Sequence, residues 1–283
     1  MIIAVASGKG GTGKTSVSVS LAKALADSNK KISLLDCDVE EPNAHLLLEC
    51  REISRSEFNV KIPSLDLSRC TGCGKCAEIC EFNCIAIVKK RAVIFPDLCH
   101  SCGGCSLVCP EKCIKETDSK TGEILEYNAG IIHLVQGILD IGKAMAPPLI
   151  REVKKLAREE IALIDCPPGT SCPMVTAVGG ADYVILVTEP TPFGLHDMTL
   201  AVETLRKMKM NFYVIINRAD SGDDRVEKYC TSENIEVIMR IKESIDAARA
   251  YSKGIPLYDA LPEFKQYFIL NSNKIISRAG EFK

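Results

Sequence analysis

Six short stretches are apolar almost throughout: MIIAVAS (1–7), ISLLD (32–36), IALID (161–165), YVILVT (183–188), FYVIIN (212–217) and EVIMRI (236–241). None alternates polar with apolar at a period of two. Each therefore needs cover on both faces, and strands of that kind belong to parallel sheets. Segments with helical spacing follow several of them, among them Lys14–Asp27, His196–Met208, Asp224–Asn234 and Pro262–Ser277. Strand and helix in alternation predict an α/β fold, a doubly wound and mostly parallel sheet. With 46% apolar residues in a chain of 283, there is material for a sizeable core.

The alternation stops between Leu48 and about Ile161. Ten of the fifteen cysteines lie in that gap, from Cys70 to Cys113, and Cys50 stands near its edge. The spacing predicts a second, smaller unit of about residues 59–126, inserted into a main domain of 1–58 and 127–283. CTGCGKCAEICEFNCI (70–85) and CHSCGGCSLVCPEKCI (99–114) match cysteine for cysteine at a constant offset of 29, so the insert is internally duplicated. After it, GEILEYNAGIIHLVQGILDIGK (122–143) has the texture of a hairpin that either closes the insert or extends the main sheet.

Each copy is a bacterial ferredoxin-type ligand run, C-x2-C-x2-C-x3-C. Two residues between cysteines let one tight loop reach three corners of an iron–sulfur cube, with Gly72, Gly74, Gly103 and Gly104 easing the turns. The fourth cysteine of such a run serves the other cluster. This predicts one [4Fe–4S] cluster on Cys70, Cys73, Cys76 and Cys109, and a second on Cys80, Cys99, Cys102 and Cys105. Zinc also takes four cysteines but has no need of a third evenly spaced one, twice over. Glu81 stands after the first run where Pro110 follows the second. Cys84 and Cys113, four residues after each fourth ligand, read as small buried hydrophobes. His100, inside a cluster loop, reads as an exposed bystander.

The stretch Gly8-Lys9-Gly10-Gly11-Thr12-Gly13-Lys14-Thr15 fits G-x-x-x-x-G-K-[ST], with a buried strand before it and a helix after it. Its backbone N–H groups and the helix N-terminus, through Ser16, suit phosphate oxygens. Lys14 is expected at the β- and γ-phosphates of ATP, and the Thr15 hydroxyl at Mg²⁺. A second lysine, Lys9, directly after the first glycine resembles the deviant Walker A motif of the MinD/ParA superfamily, which includes the nitrogenase iron protein and the Mrp-type cluster-assembly ATPases. The resemblance implies that Lys9 reaches the nucleotide of a partner subunit in an ATP-dependent homodimer, or in a heterodimer with a similar protein. It makes Asp38 the carboxylate that orients water and touches the magnesium shell. It makes Asp165 the Walker B aspartate, Pro167-Pro168-Gly169 the second switch, and Asn217 the adenine contact. Cys172 lies near the position of a bridging-cluster ligand in the nitrogenase iron protein, but residues 114–165 hold no second cysteine to complete such a site.

The resemblance and the cysteine runs together imply an ATPase that gates low-potential electron transfer to a redox partner. Alternatives are an ATPase that assembles or delivers clusters to a client protein, and a redox-sensing positioning ATPase. A net charge of -2 supplies no basic face for nucleic acid, and FILNSNKIISRAGEFK at the end is too mixed for a membrane anchor. The opening MIIAVASGKG lacks a charged leader, and clustered cysteines without a secretory signal point to the cytoplasm.

Overall fold

The computed structural model describes residues 1–143 and 145–279. The first half runs β1 (Ile2–Ala6), α1 (Lys14–Asp27), β2 (Ile32–Asp36), β3 (Arg51–Leu65), α2 (Lys75–Glu78), β4 (Ile85–Val88), β5 (Arg91–Ile94), α3 (Gly104–Val108), β6 (Ile114–Ala129) and β7 (Ile132–Leu139). The second half runs α4 (Ala146–Lys155), β8 (Ile161–Asp165), α5 (Cys172–Val178), β9 (Tyr183–Thr188), α6 (Pro192–Lys207), β10 (Phe212–Asn217), α7 (Arg225–Ser232), β11 (Val237–Ile241), α8 (Ile245–Tyr251), α9 (Leu257–Ala260) and α10 (Pro262–Ala279).

The apolar runs become the centre of one sheet, ordered β11-β10-β9-β1-β8-β2-β7-β6-β3. Strands β2, β8 and β9 are buried at every position, which is why none of them alternates. Strand β1 runs parallel to β8 on one side and β9 on the other, with Val5 opposite Asp165 and Ile185. Strand β2 runs parallel to β8, so Asp36 and Asp165 end side by side. The chain leaves β1 for β2 on one flank and later fills the other with β9, β10 and β11. The order thus reverses at β1, and in open α/β sheets ligands bind beyond the carboxyl ends of strands at such a point.

The hairpin texture at 122–143 joins the main sheet. Strand β7 pairs in parallel with β2, Ile32 opposite Ile132, and only Gly130 and Ile131 separate β6 from β7. Strand β3 takes the outer edge and opens on REISRSE, whose exposed charges discourage pairing with another chain. The segment FILNSNKIISRAGEFK belongs to α10 as far as Ala279, and residues 280–283 lie outside the described ones. Among the described residues no helix is long and apolar enough to cross a membrane.

The chain divides into two compact units. One comprises 1–55, 124–138 and 150–283, with a core of β-strand Ile, Leu and Val closed by Tyr183, Tyr258 and Phe268. The other comprises 56–123 and 139–149. It contains a buried cluster of Cys76, Cys84, Ile85, Ala92, Cys99, Cys105, Cys113 and Ile114, in which thiols outnumber the other side chains.

Candidate nucleotide site and cysteine cavities

Strand β1 delivers the glycine loop to the carboxyl edge of the sheet, where a cavity of about 430 Å³ opens. That volume suits a mononucleotide-sized ligand. Of the residues singled out for nucleotide, Gly10, Gly11, Gly13, Lys14, Thr15, Ser16, Asp38 and Asn217 line it. Gly13 has φ +88°, and a Cβ there would collide with the Asn217 amide, so both conformation and space require glycine. Asn217 Nδ2 donates to the Thr12 carbonyl at 2.9 Å, which ties the end of β10 to the loop. Gly8 and Thr12 belong to the loop but are not among the lining residues, and Thr12 is buried. Lys9 is not among the lining residues, and its Nζ lies 3.9 Å from Glu189 Oε2.

Two carboxylates hold Lys14. Its Nζ lies 3.2 Å from Asp165 Oδ1 and 3.5 Å from Asp38 Oδ2. Ser18 Oγ also donates to Asp165 Oδ1, at 2.9 Å, while Asp165 Oδ2 is buried with no partner. Asp36 is fully buried and accepts the backbone N–H groups of Asp38, Asn43 and Ala44 at 3.2, 3.0 and 3.0 Å. It thereby fixes the turn that carries Asp38.

The duplicated runs fold into two further cavities. The first is lined by Cys70, Cys73, Cys76, Cys109 and Cys113, the second by Cys80, Cys99, Cys102, Cys105 and Cys84. Each thus takes three cysteines from one repeat's loop and its remaining pair from the end of a run, crosswise at Cys109 and Cys80. Gly72 has φ +68°, and a Cβ there would strike the Lys90 carbonyl, so the first loop can close only with glycine. The Cys84 and Ser101 N–H groups point at the sulfurs of Cys80 and Cys99, each at 3.4 Å. Cys84 Sγ lies 3.3 Å from Cys80 Sγ, and Cys113 Sγ 3.4 Å from Cys109 Sγ. His100 stacks flat on Phe82 with centroids 3.6 Å apart, so it has a packing partner. All fifteen cysteines are free thiols, and Cys172 is exposed at the start of α5. Among the described residues no three of His, Cys, Asp or Glu crowd together closely enough to share one metal ion.

A family model of the CobQ/CobB/MinD/ParA nucleotide binding domain matches residues 3–257. The chain belongs to this family. An uncharacterized protein of Methanocaldococcus jannaschii is 37% identical over 221 residues, 77% of this chain and 78% of that one. A Pyrococcus horikoshii protein named iron-sulfur cluster carrier protein is 24% identical over 311 residues, covering 99% of this chain and 87% of its own. The septum site-determining protein MinD of Pyrococcus horikoshii, solved with Mg-ADP, shares the fold with a TM-score of 0.60. Its identity is 20%, over 100% of this chain and 98% of that one.

In this member of the CobQ/CobB/MinD/ParA family, electrostatics at the loop are set by burial against charge. Burial alone would lower the Lys14 ammonium, but Asp165, Asp38 and Asp36 outweigh it and hold the pKa above that of an ordinary lysine. Burial lifts the Asp38 carboxyl to about 6 against the pull of Lys14. Asp36 is raised as well, by burial and by Asp165 beside it, with the Ala44 N–H opposing. Several residues in or behind the site escape a reading by motif. Ser18 stands one turn along α1 from Lys14. Arg218 follows Asn217 and pairs with Glu189 at 2.7 Å. Lys242, Glu243 and Ser244 line the cavity just after β11. The signal for these last three is position alone, at the carboxyl end of a buried parallel strand.

Proposed function

We propose that this chain binds and hydrolyses ATP and couples the resulting movement of its switches to low-potential electron transfer through two [4Fe–4S] clusters. The family domain is 1–58 with 127–283, and 59–126 is a ferredoxin-like insert. The observation that carries the reading is the lining of the two thiol cavities, four predicted ligands in each, shared three-plus-one between the repeats. Four cysteines at ferredoxin-type spacing around each cavity suit an iron–sulfur cube, with one sulfur to each iron. The stability of the insert argues the same way. A small unit with no disulfide, whose cysteine cluster buries thiols in place of larger apolar side chains, is of the kind that a metal centre commonly stabilises. When bound, the clusters would supply one-electron acceptors and donors at potentials tuned by the surrounding hydrogen bonds.

In the nucleotide site, Lys14 would exchange its two carboxylates for the β- and γ-phosphates, and the loop N–H groups would hold the remaining oxygens. The unpartnered Asp165 Oδ2, with Asp38 and the Thr15 hydroxyl, fits a hydrated magnesium ion, which would neutralise charge on those phosphates. Released from Lys14, Asp38 would orient the attacking water and take its proton. Lys9 would leave Glu189 for the nucleotide of a second subunit.

Stopped-flow oxidation of the reduced protein by an acceptor protein, with and without Mg-ATP, tests the coupling. Rates are expected to depend on nucleotide, and equal rates with every acceptor would defeat it. One observation favours a second reading, cluster delivery: the relative named as an iron-sulfur cluster carrier aligns with 99% of this chain. Mixing the iron-loaded protein with an apo-ferredoxin during ATP turnover separates the two. Retained iron supports electron carriage, and transferred iron supports delivery.

A further inference from the structure

The duplicated runs leave one thiol over in each cavity. A [4Fe–4S] cube takes four thiolates, yet five cysteines line each space. The surplus pair, Cys84 and Cys113, occupy equivalent places in the 29-residue repeat, and both are buried. Each lies against the last ligand of its own run, Cys84 Sγ at 3.3 Å from Cys80 Sγ and Cys113 Sγ at 3.4 Å from Cys109 Sγ. Those separations are within reach of an S–H···S hydrogen bond, and packing alone would not need sulfur at the same distance twice.

We propose that Cys84 and Cys113 are hydrogen-bond donors, not ligands, to the cluster sulfurs of Cys80 and Cys109, and that each raises the reduction potential of one cluster. The proposal rests on the cluster reading above. Reduction adds one electron and no proton, and part of that charge falls on the ligand sulfurs. A donor aimed at such a sulfur therefore stabilises the reduced form more than the oxidised one. The arrangement also crosses over. Cys80 completes the cavity of Cys99, Cys102 and Cys105, so Cys84 in the first repeat tunes the cluster gripped by the second repeat's loop. Cys113 does the converse.

The test uses the full chain, reconstituted without oxygen, in wild-type form and as Cys84→Ala, Cys84→Ser, Cys113→Ala and Cys113→Ser. Iron and sulfide are counted first, and each cluster's potential is then found by electron paramagnetic resonance during a redox titration. Each Ala variant is expected to keep its iron and to lower one potential. The shift is expected to reach about tenfold in the reduction equilibrium, or about 59 mV for a one-electron couple. The two Ala variants should move different clusters, and the Ser variants, which keep an O–H donor, should stay near wild type. Unmoved potentials with full iron, or equal shifts in Ala and Ser, would overturn the inference alone. So would loss of iron from Cys84→Ala together with its retention in Cys80→Ala, since that reverses the roles. If an Ala variant does not fold, double-resonance spectra of the reduced wild type in H₂O and D₂O decide. A backbone N–H already points at the Cys80 sulfur, so the donors require a further exchangeable proton coupled to each cluster, and its absence counts against them. Wild-type protein that takes up no cluster sinks the underlying reading at the first step, before any potential is measured.

Discussion

At Asp38 the demands of chemistry and of stability oppose each other. Burial raises its carboxyl to about 6, so the folded chain holds that proton more tightly than the unfolded chain does. Stability from this group is complete below about pH 4 and is lost as pH rises through about 6. Asp38→Asn is therefore expected to stabilise the nucleotide-free protein by about 1–3 kcal/mol at pH 8 and to change little at pH 3.5. Denaturant titrations at the two pH values check this, and equal effects at both would contradict it. In the proposed reaction the same carboxyl must be ionised to accept a proton, so kcat/KM for ATP should fall on the acid side with an apparent pKa near 6 in the free enzyme. A profile flat down to pH 5 would remove Asp38 from that role. Lys14 is legible in the sequence because a strand, a glycine loop and a helix fix its place, and Asp38 and Asp165 follow from the family resemblance at the ends of apolar runs. Glu189 is not, because Lys9 and Arg218 converge on it only through the order of strands in the sheet.

Among the elements, α5 depends on a distant side chain. Lys154, on α4, donates through Nζ to the carbonyls of Thr176, Ala177 and Gly179 at 3.0, 2.8 and 2.5 Å, and so satisfies the end of a seven-residue helix. Replacing it by Met keeps the apolar stem and leaves those acceptors without a donor. The expected cost is about 1–3 kcal/mol, read as a shifted denaturant midpoint, with faster proteolysis within 172–180. Unchanged stability and digestion would show that the carbonyls find other partners. The buried strands of the main sheet follow from their unbroken apolar runs. Strand β3 does not, because REISRSE is exposed and charged at the sheet edge and carries no such run. The hairpin of β6 and β7 has a readable texture, but its pairing with β2 spans about a hundred residues and leaves no local mark. Pro147 and Pro148 sit in the first turn of α4, where a missing N–H costs nothing.

For the molecule as a whole, two predictions bear on assembly and cofactor content. Lys9→Ala should still bind ATP as a monomer but fail to associate on adding it, whereas the wild type should double in mass. Light scattering with a slowly hydrolysed analogue checks this, and undiminished association in the variant would leave Lys9 without its intersubunit task. On the proposed cluster reading, Cys109→Ser should cost the iron assigned to Cys70, Cys73 and Cys76 rather than that at its own repeat's loop, leaving about half the wild-type iron. Loss from the Cys99–Cys105 loop instead would refute the crossed sharing. Two thiol-rich runs were plain in the sequence, as was their offset. That each cavity borrows from both runs could be anticipated only from the chemistry of such motifs.

That crossing has a bearing on descent. Duplicated segments ordinarily drift apart, since one copy can decay while its twin carries on. Here each half finishes the enclosure of the other, so damage to either is registered in its sibling, and neither can be excised, swapped or retired singly. The repeat is thereby locked in as an indivisible pair.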